Sequence, residues 1–121
     1  LGQEDIPIGV VKEQLGPDKI IGMSTHSLEQ IKESERSNCD YIGVGPIYRS
    51  NTKLGAQEKG TELAKEALEN CTKPWFAIGG IDAKNIKELK SIGVKKFALA
   101  DAIMSSKNVK KSSLDLIEAT K

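Results

Sequence analysis

Arg49-Ser50-Asn51-Thr52-Lys53 puts two cations, two hydroxyls and an amide into five consecutive positions. Such a set can hold a phosphate-like anion, the cations by charge and the neutral donors by directed hydrogen bonds. It follows Tyr41–Gly45, YIGVG, a short run that reads as a buried strand whose two glycines permit close backbone approach. Pro46 then stops strand pairing, because it has no N–H to donate. A buried strand that ends in concentrated donors is one way α/β proteins build anion sites. An ordinary solvated βα loop has the same composition, so these residues alone leave both readings open.

Other apolar runs end in polar or glycine-rich groups. Ile20–Met23 leads into Ser24-Thr25-His26, and Trp75–Ile78 into Gly79-Gly80. Phe97–Ala100 ends at Asp101, and the chain opens with Gly2-Gln3-Glu4-Asp5. A diglycine lets a phosphate meet bare N–H groups ahead of a helix. It also suits a plain tight turn that needs positive φ.

These groups need elements to position them. Ile6-Pro7 suggests a helix start, with Val10, Val11 and Leu15 at helical spacing and Gly16-Pro17 as the stop. Ser27 and Gln30 form a capping box ahead of a helix carrying Leu28 and Ile31. Leu63, Ala64, Ala67, Leu68 and Cys71 predict an amphipathic helix from about Thr61. Asp82 is the expected N-cap of a helix with Ile86, Leu89 and Ile92 inward and Gly93 at C′. A terminal helix holds Leu114 and Ile117, and Lys107, Lys110 and Lys111 read as a solvated face.

The order is a leading helix and then four strand–helix units, which implies α/β architecture with a parallel sheet. Four units fit either a small open sheet or half of an eight-stranded barrel. Gly22, Gly43, Gly45, Ala77 and Ala98 recur along the strands as expected where inward faces crowd a barrel axis, which favours the barrel. No linker or repeat divides the chain, so residues 1–121 read as a single segment. The opening LGQED reads as the continuation of something already under way.

Composition narrows the function. The 18 cations and 17 anions nearly balance, without the basic excess of a nucleic-acid binder. Aromatics are only 4%, too few for a base-stacking platform. No apolar run approaches the roughly 20 residues that span a bilayer, and no signal-peptide pattern appears. Cys39 and Cys71 lack metal-ligand spacing and read as small buried thiols, so a cytoplasmic location is expected.

The stretches GQED, GPDKIIGMSTHS, DYIGVGPIY followed by SNTK, AIGGI and the last strand resemble, in order and with nearly matching spacing, the thiamine-phosphate synthase family. The resemblance covers essentially the whole chain. It implies a (β/α)8 TIM barrel, of which this segment is the C-terminal half from the end of the fourth strand. It further implies a magnesium-dependent transferase of thiamine biosynthesis. That enzyme joins hydroxymethylpyrimidine diphosphate to a thiazole phosphate and releases pyrophosphate by ionisation of the pyrimidine's C–O bond.

By the same resemblance Asp5 falls on a Mg²⁺-ligand position, a hard oxygen donor as this ion prefers. Ser24 and Lys53 fall on pyrimidine-diphosphate contacts, and the cation would offset charge that grows as the bond breaks. Ser50, Asn51 and Thr52 fall on the thiazole-phosphate loop, and Gly80, Ala100 and Asp101 on a phosphate cradle at the last two strands.

Two departures from the family pattern involve three positions. Arg49 and Ser50 replace a Pro-Thr pair, which keeps a hydroxyl and adds a tolerated charge. Asp101 stands where serine is usual. A carboxylate about 5 Å from a phosphate charge costs on the order of 3 kcal/mol per charge pair at an effective dielectric near ~20. Either its side chain turns away while its backbone N–H binds, or the cradle is weakened.

In the thiazole tautomerase relatives a histidine matching His26 does acid–base work. Hydrogen bonding to backbone at a strand end is the competing role for His26. A non-catalytic phosphate-binding or regulatory module is the reading from another class. With the barrel's first strands absent, the residues here are expected not to turn over substrate alone. They are also expected to self-associate or to pair with the complementary half.

Overall fold

The computed structural model describes residues 1–48, 54–99 and 109–120, with the main chain alone at 54–59, 109, 112, 115 and 116. Helix α1 (Ile8–Leu15) starts directly after Pro7 and ends at Gly16, whose φ is 91°. Strand β1 (Gly22–Thr25) begins two residues later than the apolar run predicts. Asp40 explains the shift: its carboxylate takes the Ile21 N–H at 2.8 Å, so the ladder opens at Gly22 opposite Tyr41.

Helix α2 (Leu28–Glu35) is capped by Ser27, whose side chain accepts the Gln30 N–H at 3.2 Å. The return bond of the expected capping box goes one residue further back, from His26 N–H to Gln30 Oε1 at 2.7 Å. Strand β2 (Tyr41–Val44) follows. Helix α3 (Leu54–Asn70) starts seven residues ahead of the predicted Thr61, because its first turns, LGAQEKG, carry no apolar stripe to announce them. At Gly60 it comes so close to the Ile47 carbonyl that no Cβ would fit.

Strand β3 (Trp75–Ile78) lies where expected. Helix α4 (Ile86–Ser91) is preceded by a turn, and there Asp82 Oδ1 accepts the N–H groups of Lys84 (2.8 Å) and Asn85 (2.9 Å). Asp82 therefore caps the turn rather than the helix proper. Gly93 closes α4 at φ 108°, as expected of a C′ glycine. Strand β4 (Phe97–Ala98) and helix α5 (Val109–Thr120) complete the order. On α5, Leu114 and Ile117 are exposed while Ala119 packs against the core.

The four strands are parallel and run β1-β2-β3-β4 across one sheet. Ile42, Val44 and Ala77 point to one face and are fully buried against Ile31 of α2, Ala64 and Ala67 of α3, and Ile86 and Leu89 of α4. Burying each of the larger aliphatic side chains contributes about 2 kcal/mol. Among the described residues the opposite face is uncovered. Gly22, Ser24, Tyr41, Gly43, Phe76 and Ile78 line an open concavity of about 830 Å³. An open α/β sheet carries helices on both faces, whereas a barrel keeps them all outside. Among the described residues the one-sided arrangement is the barrel's, seen across four of its units.

Candidate functional site

All four strands are parallel, so their carboxyl ends gather along one edge, where α/β folds place ligands. At the end of β1, Ser24 is exposed on the uncovered face. Its N–H donates to Leu1 O at 2.8 Å, and its carbonyl accepts Gln3 Nε2 at 2.6 Å. Leu1 thus bonds alongside β1 as a neighbouring strand end would.

Asp5 sits in the turn that follows. Its Oδ2 accepts the Gly2 N–H at 2.7 Å, and the carboxylate is exposed. Gln3, together with Leu1, ties the turn carrying Asp5 to the strand carrying Ser24. Sequence reasoning missed Gln3, although it lies inside the GQED stretch.

Thr25 is fully buried and donates to Gly43 O at 2.8 Å, locking β1 to β2. His26 Nδ1 lies 2.7 Å from Gly45 O. A carbonyl only accepts, so Nδ1 carries the proton. The expected backbone strap at His26 is present.

At the end of β3, Gly79 and Gly80 have φ of 105° and 60°. A Cβ on Gly79 would lie 2.7 Å from Pro46 Cα, and one on Gly80 would lie 2.6 Å from Tyr48 O. The chain leaving β2 passes directly over the diglycine, fixed by Ile47 N–H to Ile78 O (2.9 Å) and Tyr48 N–H to Gly79 O (3.0 Å). Glycine is required at both positions, for the backbone turn and for this crossing.

The structure thus gathers Asp5 and Ser24 at one corner and seats Gly80 at another strand end of the same edge. Ser50, Asn51, Thr52, Lys53, Ala100 and Asp101 lie outside the described residues. Among the described residues no group of three or more His, Cys, Asp or Glu side chains could enclose a metal. The Asp5 carboxylate is a hard oxygen donor, which suits an ion that takes most of its oxygens from a substrate's phosphates and water. The cysteines stand apart from this edge. Cys39 is buried, and burial pushes the Cys71 thiol up to about 11, which disfavours its thiolate.

Comparison with known proteins converges on one family. A family model described as thiamine monophosphate synthase matches residues 1–103. The thiamine-phosphate synthase of Synechocystis sp. is 44% identical over 117 residues, covering 97% of this chain and 34% of that protein. The enzyme of that name from Prochlorococcus marinus (strain MIT 9313) is 42% identical over 98% of this chain, again 34% of its own length. In structure, the thiamine phosphate pyrophosphorylase of Pyrococcus furiosus superposes with a TM-score of 0.86 at 36% identity, over 99% of this chain and 57% of that one. A 3-hexulose-6-phosphate synthase, 14% identical, matches with a TM-score of 0.67 and shares the fold alone. The chain spans about a third of the length of the curated relatives it matches and somewhat over half of the solved one.

Proposed function

The chain belongs to the thiamine monophosphate synthase family, and we propose that the protein serves thiamine biosynthesis by joining a pyrimidine diphosphate to a thiazole phosphate. One observation carries this reading. The strand-end corner of Asp5, Gln3 and Ser24 and the strand-end diglycine Gly79-Gly80 lie along one edge of a parallel sheet.

In this reading Asp5 holds Mg²⁺ together with the substrate's own phosphates. The bound ion supplies charge that stabilises a departing pyrophosphate. Ser24 and Lys53 bind the diphosphate, and the lysine offsets negative charge as the pyrimidine's C–O bond breaks. Gly80, with Ser50, Asn51, Thr52, Ala100 and Asp101, receives the thiazole phosphate. Positioning and charge do most of the work, so no side chain need form a covalent intermediate.

The uncovered sheet face supports association with complementary strands or with a second copy. Residues 1–121 alone are accordingly expected not to turn over substrate. The two free thiols, Cys39 and Cys71, fit a reducing, cytoplasmic setting. His26 supports a second reading, thiazole tautomerisation, because its protonated Nδ1 leaves Nε2 able to accept a proton.

The test is thiamine phosphate formation by the whole protein from the two substrates, with and without Mg²⁺. Magnesium-dependent product supports the synthase. Thiazole isomerisation without a metal requirement would sink it in favour of the tautomerase. Binding of thiazole phosphate with no diphosphate binding would favour a non-catalytic module.

A further inference from the structure

Tyr48 is nearly fully buried, with 3% of its surface exposed, yet it is polar at both ends of its bonding. Its N–H donates to Gly79 O at 3.0 Å. Its hydroxyl donates to Glu88 Oε2 at 3.0 Å and lies 3.4 Å from Asn85 O, both on or beside α4. Asn85 in turn donates from Nδ2 to Gly80 O at 2.8 Å and accepts the Asp82 N–H on Oδ1 at 2.8 Å. The bonds close a circuit: Tyr48 to Gly79, Gly80 to Asn85, Asn85 back to Tyr48.

This circuit has a directional consequence. Across a planar trans peptide the N–H points opposite to the preceding C=O. The Gly79 carbonyl is turned onto Tyr48, so the Gly80 N–H faces away from Tyr48. The Gly80 carbonyl is turned onto the Asn85 side chain, so the Ile81 N–H faces away from that side chain. The residues that hold the two carbonyls thereby aim two consecutive N–H groups in directions they do not themselves occupy. Consecutive N–H groups held this way are a fitting receptor for phosphate oxygens.

We infer that Tyr48, with Asn85 and Glu88, is a positioning residue that orients the N–H groups of Gly80 and Ile81 for the phosphate of the thiazole substrate. This rests on the function proposed above. Tyr48 itself touches the turn and α4, not the ligand. Desolvation on burial, together with the neighbouring Glu88 carboxylate, pushes the phenol above its ordinary value of 10.0, so it remains a donor.

The experiment measures binding of thiazole phosphate and, separately, of pyrimidine diphosphate with Mg²⁺ to the whole protein by titration calorimetry. The variants are Tyr48→Phe, which keeps the ring, Glu88→Ala, which cuts the same contact from an exposed side, and the double substitution. The Kd for thiazole phosphate is expected to rise about fivefold in either single variant, the scale of one lost hydrogen bond. It should rise no further in the double variant, and the Kd for pyrimidine diphosphate should not change. Unchanged thiazole-phosphate affinity in both single variants would overturn the inference. Equal weakening of both ligands alongside a lower Tm would overturn it too, since that marks general destabilisation. If the wild type shows no saturable thiazole-phosphate binding, the functional reading fails and takes this inference with it.

Discussion

The carbonyl oxygen of Tyr48 stands 2.6 Å from the point that a Cβ on Gly80 would occupy, and Gly80 holds φ at 60°. A side chain there would meet backbone that is itself pinned by the Tyr48–Gly79 bond. Gly80→Ala is therefore expected to cost about 2 kcal/mol or more, part conformational strain and part overlap. Gly9 is the contrast. It lies within α1, and a Cβ there would meet nothing within 4 Å. Gly9→Ala should stabilise by about 0.5–1 kcal/mol, because alanine loses less conformational entropy in a helix. Urea denaturation of the two variants should give shifts of opposite sign.

Lys73 Nζ donates to three main-chain carbonyls at and beyond the C-terminus of α2, those of Ser34 (2.8 Å), Ser37 (2.6 Å) and Cys39 (3.0 Å). Ser34 lies in the last turn of α2, at the negative end of the helix dipole, and Ser37 and Cys39 lie in the chain that leaves it. Lys73→Met keeps most of the stem's packing and removes all three bonds. A loss of about 2 kcal/mol is expected, read as a lower denaturation midpoint with unchanged slope.

Glu35 answers Lys73 from the helix side. Its carboxylate accepts the Thr72 hydroxyl and the N–H groups of Thr72 and Lys73. The Thr72 hydroxyl, the largest cause, holds its pKa below the ordinary 4.5. A lowered folded pKa means that the native state favours the charged form. The stability it contributes is complete above 4.5 and is lost as pH falls through the depressed folded value. Asp40, held down by the Ile21 N–H and then by Lys12, acts in the same direction. Glu35→Gln should therefore flatten, without abolishing, the acid side of the stability profile. Denaturation midpoints measured from about pH 7 down to about pH 3 check this.

These variants also mark what was legible beforehand. Strand β3 and the caps at Ser27 and Gly93 could be read because each rests on local chemistry within a few residues. Strand β1 was displaced because the Asp40 carboxylate, nearly twenty residues away in sequence, takes the Ile21 N–H. The start of α3 was missed because helix propensity without an apolar stripe gives no periodic signal. At the candidate site, motif resemblance alone singles out Asp5, Ser24 and Gly80. Gln3, Tyr48 and Asn85 are not singled out, because their side chains bond groups of other elements and turns. Residue type and spacing say little about such long-range bonds.

His26 offers the cleanest separation of the two enzymatic readings. Its Nδ1–H holds Gly45 O at 2.7 Å, and its own N–H is held by Gln30 Oε1, so the imidazole is fixed at the end of β1. Two roles are open to a ring so placed. As a strap it needs only a donor toward Gly45; as a base it needs the lone pair on Nε2. His26→Asn separates them, since an amide N–H can reach a nearby carbonyl but cannot take up a proton near neutral pH. If His26 is a strap, the Asn variant should retain thiamine phosphate formation within about threefold, while His26→Ala should lose about tenfold through displacement of β1 against β2. If His26 is the base of a tautomerase, both variants should abolish thiazole isomerisation alike, at an activity loss of about a hundredfold or more. Assaying both reactions on the same two variants decides between strap and base, and the strap is the outcome expected here.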